Sequence, residues 1–217
     1  MTKRSRSFGS LIDTLHAWIR DWIAPLDQVA ELVPQGKDVL ELGCGQGVLL
    51  KKLAPRCHTI VGVDYDARKC NLAQELCDSF GNIKIIQNTI INHLESVPDN
   101  SIDIVILADT LASNTLEDQD NILNECQRVL AAQGMIILKI MDISPKWKFS
   151  VTLFVSHIVY RILHLSVSNN QQLFHVSSTE YITRLRHWRL ETKIVPLHQM
   201  THSPFSHLVI IGSRQTL

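Results

Sequence analysis

The sequence predicts a doubly wound α/β domain with a seven-stranded sheet, mostly parallel and closed by an antiparallel C-terminal strand. Three observations carry that expectation. From residue 36 onward, short runs rich in Val, Ile and Leu alternate with stretches of helical periodicity, the pattern of βαβ units. A glycine-rich turn, Gly43 to Gly47, stands at the first strand-to-helix junction. The last two strand-like runs follow each other with no helix between them, so they should pair as an antiparallel hairpin at a sheet edge.

The elements read in order as follows. Apolar residues at helical spacing (Leu11, Leu15, Trp18, Trp22, Leu26, Val29) predict a helix over Ser10 to Val33, kinked or split by Pro25. Strands are expected at Asp38–Leu42, Thr59–Asp64, Ile83–Gln87 and Ile102–Ala108. The last of these is apolar throughout, which fits a central strand covered on both faces. Helices are expected at Gly47–Ala54, Ala67–Ser79 and Glu117–Leu130, the last with an apolar stripe of Ile122, Leu123, Cys126 and Val129. Gly134 should end the turn before a fifth strand at Met135–Met141. The alternation then breaks at an insert, residues 144–178, holding a long apolar helix from Lys146 to Leu165. It resumes with a helix at Thr179–Trp188 and strands at Leu190–Val195 and Ser206–Arg214. The whole, residues 1–217, reads as one domain with an N-terminal helical segment at 1–35.

Composition narrows the function. Lys+Arg and Asp+Glu balance at 21 each, whereas a domain built around folded nucleic acid carries a basic excess, so nucleic acid is an unfavoured partner. The five cysteines are scattered without a C-x-x-C pair, suggesting neither zinc nor disulfides and fitting a reducing cytoplasm. No His/Cys spacing suggests any other metal site. The basic start, Met1 to Arg6, does not make a secretory signal, because Asp13, His16, Arg20 and Asp21 interrupt the stretch behind it.

The chemistry concentrates in Val39-Leu-Glu41-Leu-Gly43-Cys44-Gly45-Gln-Gly47. Glycines at a strand-to-helix turn let backbone approach a ligand closely. A dinucleotide fingerprint, G-x-G-x-x-G, needs a small residue at position 48, where this chain has Val, and Glu41 would sit badly beside a pyrophosphate. Asp64 ends the second strand at the right distance from the loop to accept from both hydroxyls of a ribose, with Tyr65 available to an adenine face. The plainer alternative makes Asp64 or Asp66 a helix N-cap.

This E-x-G-x-G-x-G turn with Asp64 after it resembles motif I and the following acidic position of the class I methyltransferases. The resemblance implies S-adenosyl-L-methionine as cofactor, whose cationic sulfonium and ammonium suit an acidic mouth. It implies that the cofactor is held by Glu41, Gly43, Cys44, Gly45, Gly47, Asp64 and Tyr65, with Asn88 and Thr89 at the adenine and Ala108 on the floor. Asn88 departs from the Asp common at that position, and a loop-capping role is an open alternative. The segment Ala108-Asp109-Thr110-Leu111 lies between cofactor and acceptor in that fold and lacks the [DN]-P-P-[YF] motif of base N-methylation. Asp109 either binds the acceptor, acts as a base, or caps the next loop.

A narrower resemblance, to methyltransferases of bacterial aryl-polyene and fatty-acid-like biosynthetic clusters, rests on Lys139-Ile-Met-Asp142-Ile-Ser-Pro145-Lys-Trp147-Lys148, Phe174-His175 and Pro204-Phe-Ser-His207. It implies a small aryl or acyl acceptor, free or on an acyl carrier protein, and raises His175 and His207 as base candidates. The apolar insert is interrupted by Lys148, His157, Arg161 and His164, so it does not span a bilayer. It packs as core, closes as a lid over the acceptor, or touches a membrane surface. RNA or protein methylation and non-catalytic cofactor binding are the alternative functions.

Overall fold

The computed structural model describes residues 26–143, 145–151, 153–154, 173–197 and 207–214. The expected N-terminal helix lies outside the described residues up to Pro25. Its remainder is α1 (Leu26–Glu31). From there run β1 (Asp38–Leu42), α2 (Val48–Leu53), β2 (Thr59–Asp64), α3 (Ala67–Cys77), β3 (Ile83–Gln87), α4 (Ile90–Glu95), β4 (Ile102–Ala108), α5 (Leu116–Val129) and β5 (Leu130–Met141). The chain closes with α6 (Ser178–His187), β6 (Leu190–Pro196) and β7 (His207–Arg214).

The strands form one seven-stranded sheet in the order β3-β2-β1-β4-β5-β7-β6. The first five run parallel; β7 is antiparallel to both β5 and β6, so the expected C-terminal hairpin stands at the sheet edge. Side-chain alternation on β4 shows why both faces are covered. Val105 and Leu107 join a core with residues of α5 and α6 (Ile122, Leu123, Tyr181, Leu185), while Ile104 and Ile106 join a second core with α1 and α2 (Val29, Leu49, Leu50). The chain leaves β1 for β2 on one side and crosses to β4 on the other, which opens a crevice at the carboxyl ends of β1 and β4.

Two local expectations are corrected. No helix was expected between β3 and β4, yet α4 is there. Its six residues are too few for a periodic pattern, and it is started by Thr89, whose hydroxyl accepts from the Asn92 N–H. Gly134 does not end a turn but lies inside β5. The pairing with β4 shifts register between Ile102 and Ile104, so the added residues are taken up as an irregularity in the strand. Of the apolar insert, residues 146–151 and 153–154 are helical, and the rest of Lys146 to Leu165 lies outside the described residues. Among the described residues no helix is long and apolar enough to cross a membrane.

Candidate functional site

The glycine turn closes β1 with Gly43, Gly45 and Gly47 all in the left-handed region, at φ 77°, 54° and 77°. Two of them are required by close approach as well. A Cβ on Gly47, the residue that opens α2, would stand 2.9 Å from the Cβ of Ala73 on α3. A Cβ on Gly43 would strike the Thr110 side chain, whose hydroxyl donates to the Leu42 carbonyl at 2.9 Å. Gly43 is therefore where the loop after β4 crosses the end of β1, joining the two halves of the crevice.

The amides of this turn are already engaged. The Gly43 and Cys44 N–H groups donate to the Val63 carbonyl at 2.7 and 3.0 Å, and Gly47 N–H donates to the Cys44 carbonyl at 3.0 Å. Gly45 N–H donates to Asp64 Oδ2 at 2.9 Å. A pyrophosphate cradle needs such amides turned outward. Here they face inward, and a carboxylate, Asp64, lies against the turn, with Glu41 buried on β1 beneath it. Burial, with Glu41 and Asp64 nearby, pushes the Cys44 thiol far up, so it stays protonated and inert.

The two aspartates after β2 divide the roles left open by the sequence. Asp66 is the N-cap of α3, accepting from the Arg68 and Lys69 N–H groups. Asp64 accepts from Gly45 and Asp66 N–H, one to each oxygen, at 2.9 and 3.0 Å. Each carboxylate oxygen has two lone-pair positions, so capacity for two hydroxyl donors remains. Tyr65 is 57% exposed, with the Lys69 ammonium 5.9 Å from its ring centre. Asn88 accepts from Thr89 N–H at 2.9 Å, the loop-capping contact, while its own N–H donates to the Asp64 carbonyl at 3.0 Å.

The other half of the site gathers at the ends of β4, β5 and β7. Ala108 pairs with Lys139 across β4 and β5, and Asp109 follows with φ 57° and its N–H on the Lys139 carbonyl at 2.9 Å. Asp residues tolerate this left-handed conformation better than most. The Lys139 side chain is fully buried and its ammonium is ion-paired with Asp109 Oδ2, while the Asp109 side chain is 42% open to solvent. Burial would raise the Asp109 carboxyl, but Lys139, with smaller help from His207 and His175, holds it below its usual range. His207 starts β7 opposite Met141. Burial, and then Lys139, lower its imidazole to about 4. His175 is lowered by burial, with Asp109 opposing. Its Nε2 is buried and has no hydrogen-bond partner among the described residues, and its ring meets Phe149 of the insert edge-on at 5.0 Å. His175 and His207, both raised as base candidates by the sequence, thus each lie within electrostatic reach of Asp109.

Two buried side chains adjoining this cluster carry no site role in the sequence pattern. One is Lys139. The other is Gln119 on α5, whose amide N–H groups donate to the Asn114 and Phe174 carbonyls at 3.1 and 2.9 Å and whose oxygen accepts from Tyr181 Oη at 2.8 Å. Each has a visible signature: a lone charge inside an apolar strand, and a lone amide in register with an apolar helical stripe. Among the described residues no group of His, Cys, Asp and Glu is arranged to hold a metal ion.

A turn of inward amides flanked by two carboxylates suits a cation, not a phosphate. A family profile described as a methyltransferase domain matches residues 34–188. The chain belongs to that methyltransferase family. Among curated relatives, the ubiquinone biosynthesis O-methyltransferase of Pseudomonas syringae pv. tomato is 28% identical over 127 residues, 58% of this chain and 51% of that protein. The enzyme of the same name from Klebsiella pneumoniae subsp. pneumoniae is 25% identical over 118 residues, 54% of this chain and 48% of that protein. The chain thus spans about half the length of the curated relatives it matches. Among solved structures, an S-adenosylmethionine-dependent methyltransferase of Aquifex aeolicus has a TM-score of 0.66 at 15% identity, covering 95% of this chain and 98% of that one. One from Methanosarcina mazei has a TM-score of 0.62 at 18% identity, covering 86% and 96%. At such identities the structures speak for the fold alone, the class I methyltransferase fold.

The cofactor of this methyltransferase is S-adenosyl-L-methionine, and the turn fits it. Asp64 has the remaining acceptor capacity for a ribose, Tyr65 offers an exposed ring, and Glu41 lies buried on the strand that leads into the turn. Asp64→Ala is expected to weaken S-adenosylmethionine binding by about 1.5–3 kcal/mol, the usual worth of hydrogen bonds to a charged group. Part of that loss comes from freeing the Gly45 amide that the carboxylate now holds. Titration calorimetry checks it, and unchanged affinity would remove Asp64 from the cofactor site.

Proposed function

We propose that this methyltransferase acts on an oxygen of a small, largely apolar acceptor, an aryl or acyl compound bearing a hydroxyl, free or carried as a thioester on an acyl carrier protein. The observation that carries the reading is the gathering of His175, His207 and Lys139 around Asp109 at the end of β4, with Phe149 of the apolar insert against His175. The relatives named as O-methyltransferases point the same way.

The bound cofactor supplies an already activated methyl group on a sulfonium. The chain's work is alignment and, for a protonated hydroxyl, removal of a proton. His175 is suited to take that proton. Its pKa lies below that of a free imidazole, so it is neutral near pH 7, and its buried Nε2 has no competing partner among the described residues. His207, lowered to about 4, is a weaker proton acceptor and serves better as a neutral polar wall. Phe149 of the insert, whose ring meets His175 edge-on, shields the reacting atoms from water on that side.

A methyl-transfer screen tests this reading, with phenolic acyl thioesters on acyl carrier protein, free fatty acids and total RNA offered side by side. Methyl incorporation into the phenolic compounds is expected. Incorporation into RNA alone would overturn the reading, as would firm cofactor binding with no acceptor in any class.

A further inference from the structure

The charge at the acceptor end is unevenly displayed. Lys139 and Asp109 form an ion pair, but the ammonium is fully buried and the carboxylate is 42% open. An incoming molecule therefore meets the negative member of the pair and not the positive one. Among the described residues, the other titratable groups with the largest effect on Asp109 are His207, from β7, and His175, from the segment before α6. Burial keeps both imidazoles below their ordinary pKa, so near neutrality neither adds a positive charge to offset the carboxylate. A buried lysine is costly, and an apolar residue at its place in β5 would serve packing at least as well. Its evident effect is on its partner.

We propose that Asp109 is a specificity-determining residue, accepting acceptors that offer a hydroxyl donor and turning away those that present a carboxylate, with Lys139 as the positioning residue that keeps it ionised and in place. A phenol or alcohol donates its hydrogen to the exposed oxygen of Asp109. A carboxylate brought to the same place meets like charge in a partly desolvated site, where the repulsion is only weakly screened. This rests on the hydroxyl-bearing acceptor proposed above and narrows it, because it removes free fatty acids and other carboxylates from the acceptor range. It also separates the two sides of the Lys139–Asp109 pair: one touches the acceptor, the other acts only through its partner.

The test uses 4-octylphenol against two anions of the same chain length, 4-octylbenzoate near neutrality and 4-octylbenzenesulfonate, which stays ionised in acid, for the pH series, titrated calorimetrically into the full chain loaded with S-adenosylhomocysteine. The wild-type protein should prefer the phenol, and Asp109→Asn should narrow that preference by about tenfold or more. Lys139→Met adds a pH readout. The preference requires ionised Asp109, so it persists above that group's pKa and fades as pH falls through it. Without Lys139, burial raises the carboxyl, and the preference should fade at a higher pH than in the wild type. A purely packing role for Lys139 would weaken both probes alike at every pH and leave that midpoint unmoved. Asp109→Asn is nearly isosteric and decides the case whether or not Lys139→Met folds. A wild-type protein that binds both probes equally, or a preference that Asp109→Asn leaves unchanged, overturns this inference alone. Binding of neither probe by protein that does bind the cofactor overturns the acceptor reading as well.

Discussion

His175→Ala is expected to lower turnover on a phenolic acceptor by about 10²–10⁴-fold, the range for loss of a general base, with S-adenosylmethionine affinity nearly unchanged. The ring sits in the acceptor half of the crevice, against Phe149 and within reach of Asp109. Its lowered pKa sets the sign of the pH dependence. The neutral, proton-accepting form persists to lower pH than a free imidazole would allow, so activity should hold through neutrality and fall on the acid side, below pH about 6.5. In the alanine variant that acid limb should vanish along with the rate. His207→Ala should cost less, because a group with a pKa about 4 contributes little proton affinity at neutral pH. Rate profiles from pH 5 to 9 for both variants, with cofactor binding measured separately, check this. A near-normal rate for His175→Ala would mean that the transfer proceeds by alignment alone.

The parts legible in the sequence are those encoded by local chemistry. β1, β2, β3 and β4 coincide with the expected strands, because their apolar runs are short and bounded by turn residues. The glycine turn was visible because close backbone approach demands glycine, whereas the division of roles between Asp64 and Asp66 needed the structure, which gives the cap to Asp66. The acceptor half was visible only in fragments. Asp109, His175 and His207 lie far apart in the chain, and their meeting depends on β7 inserting between β5 and β6. Helix α4 escaped notice because six residues carry no periodic signal, and Gly134 misled because an irregular strand and a turn use the same residue. Lys139 and Gln119 were hidden for a different reason. A polar residue in an apolar pattern reads as a lapse until a partner is seen, and the partners stand 30 residues away for Lys139 and as far as 62 for Gln119.

Gln119 carries the second large expectation. The residue is fully buried on α5, and its amide satisfies three groups: the part-buried carbonyls of Asn114 and Phe174 and the buried hydroxyl of Tyr181. The Phe174 N–H is held in turn by the Ala112 carbonyl at 2.7 Å, and Ser178 donates to Asp142 through both its N–H and its hydroxyl. The backbone carrying His175 is thus tied on both sides, and Gln119 is the tie nearest the ring. Gln119→Leu keeps the volume but strands all three groups. At about 1–3 kcal/mol for each unsatisfied buried group, less whatever relaxation recovers, the variant should lose roughly 3 kcal/mol of stability in denaturant unfolding. Turnover should fall further than the folded fraction does, by about tenfold to a hundredfold, because a displacement near 1 Å at a reacting group is worth that much. Tyr181→Phe is the control: it removes the hydroxyl from the same network but leaves the Gln119 contact with Phe174 in place. It should cost stability while keeping turnover per folded molecule. If Gln119→Leu keeps turnover per folded molecule as well, the network serves packing and not the placement of His175.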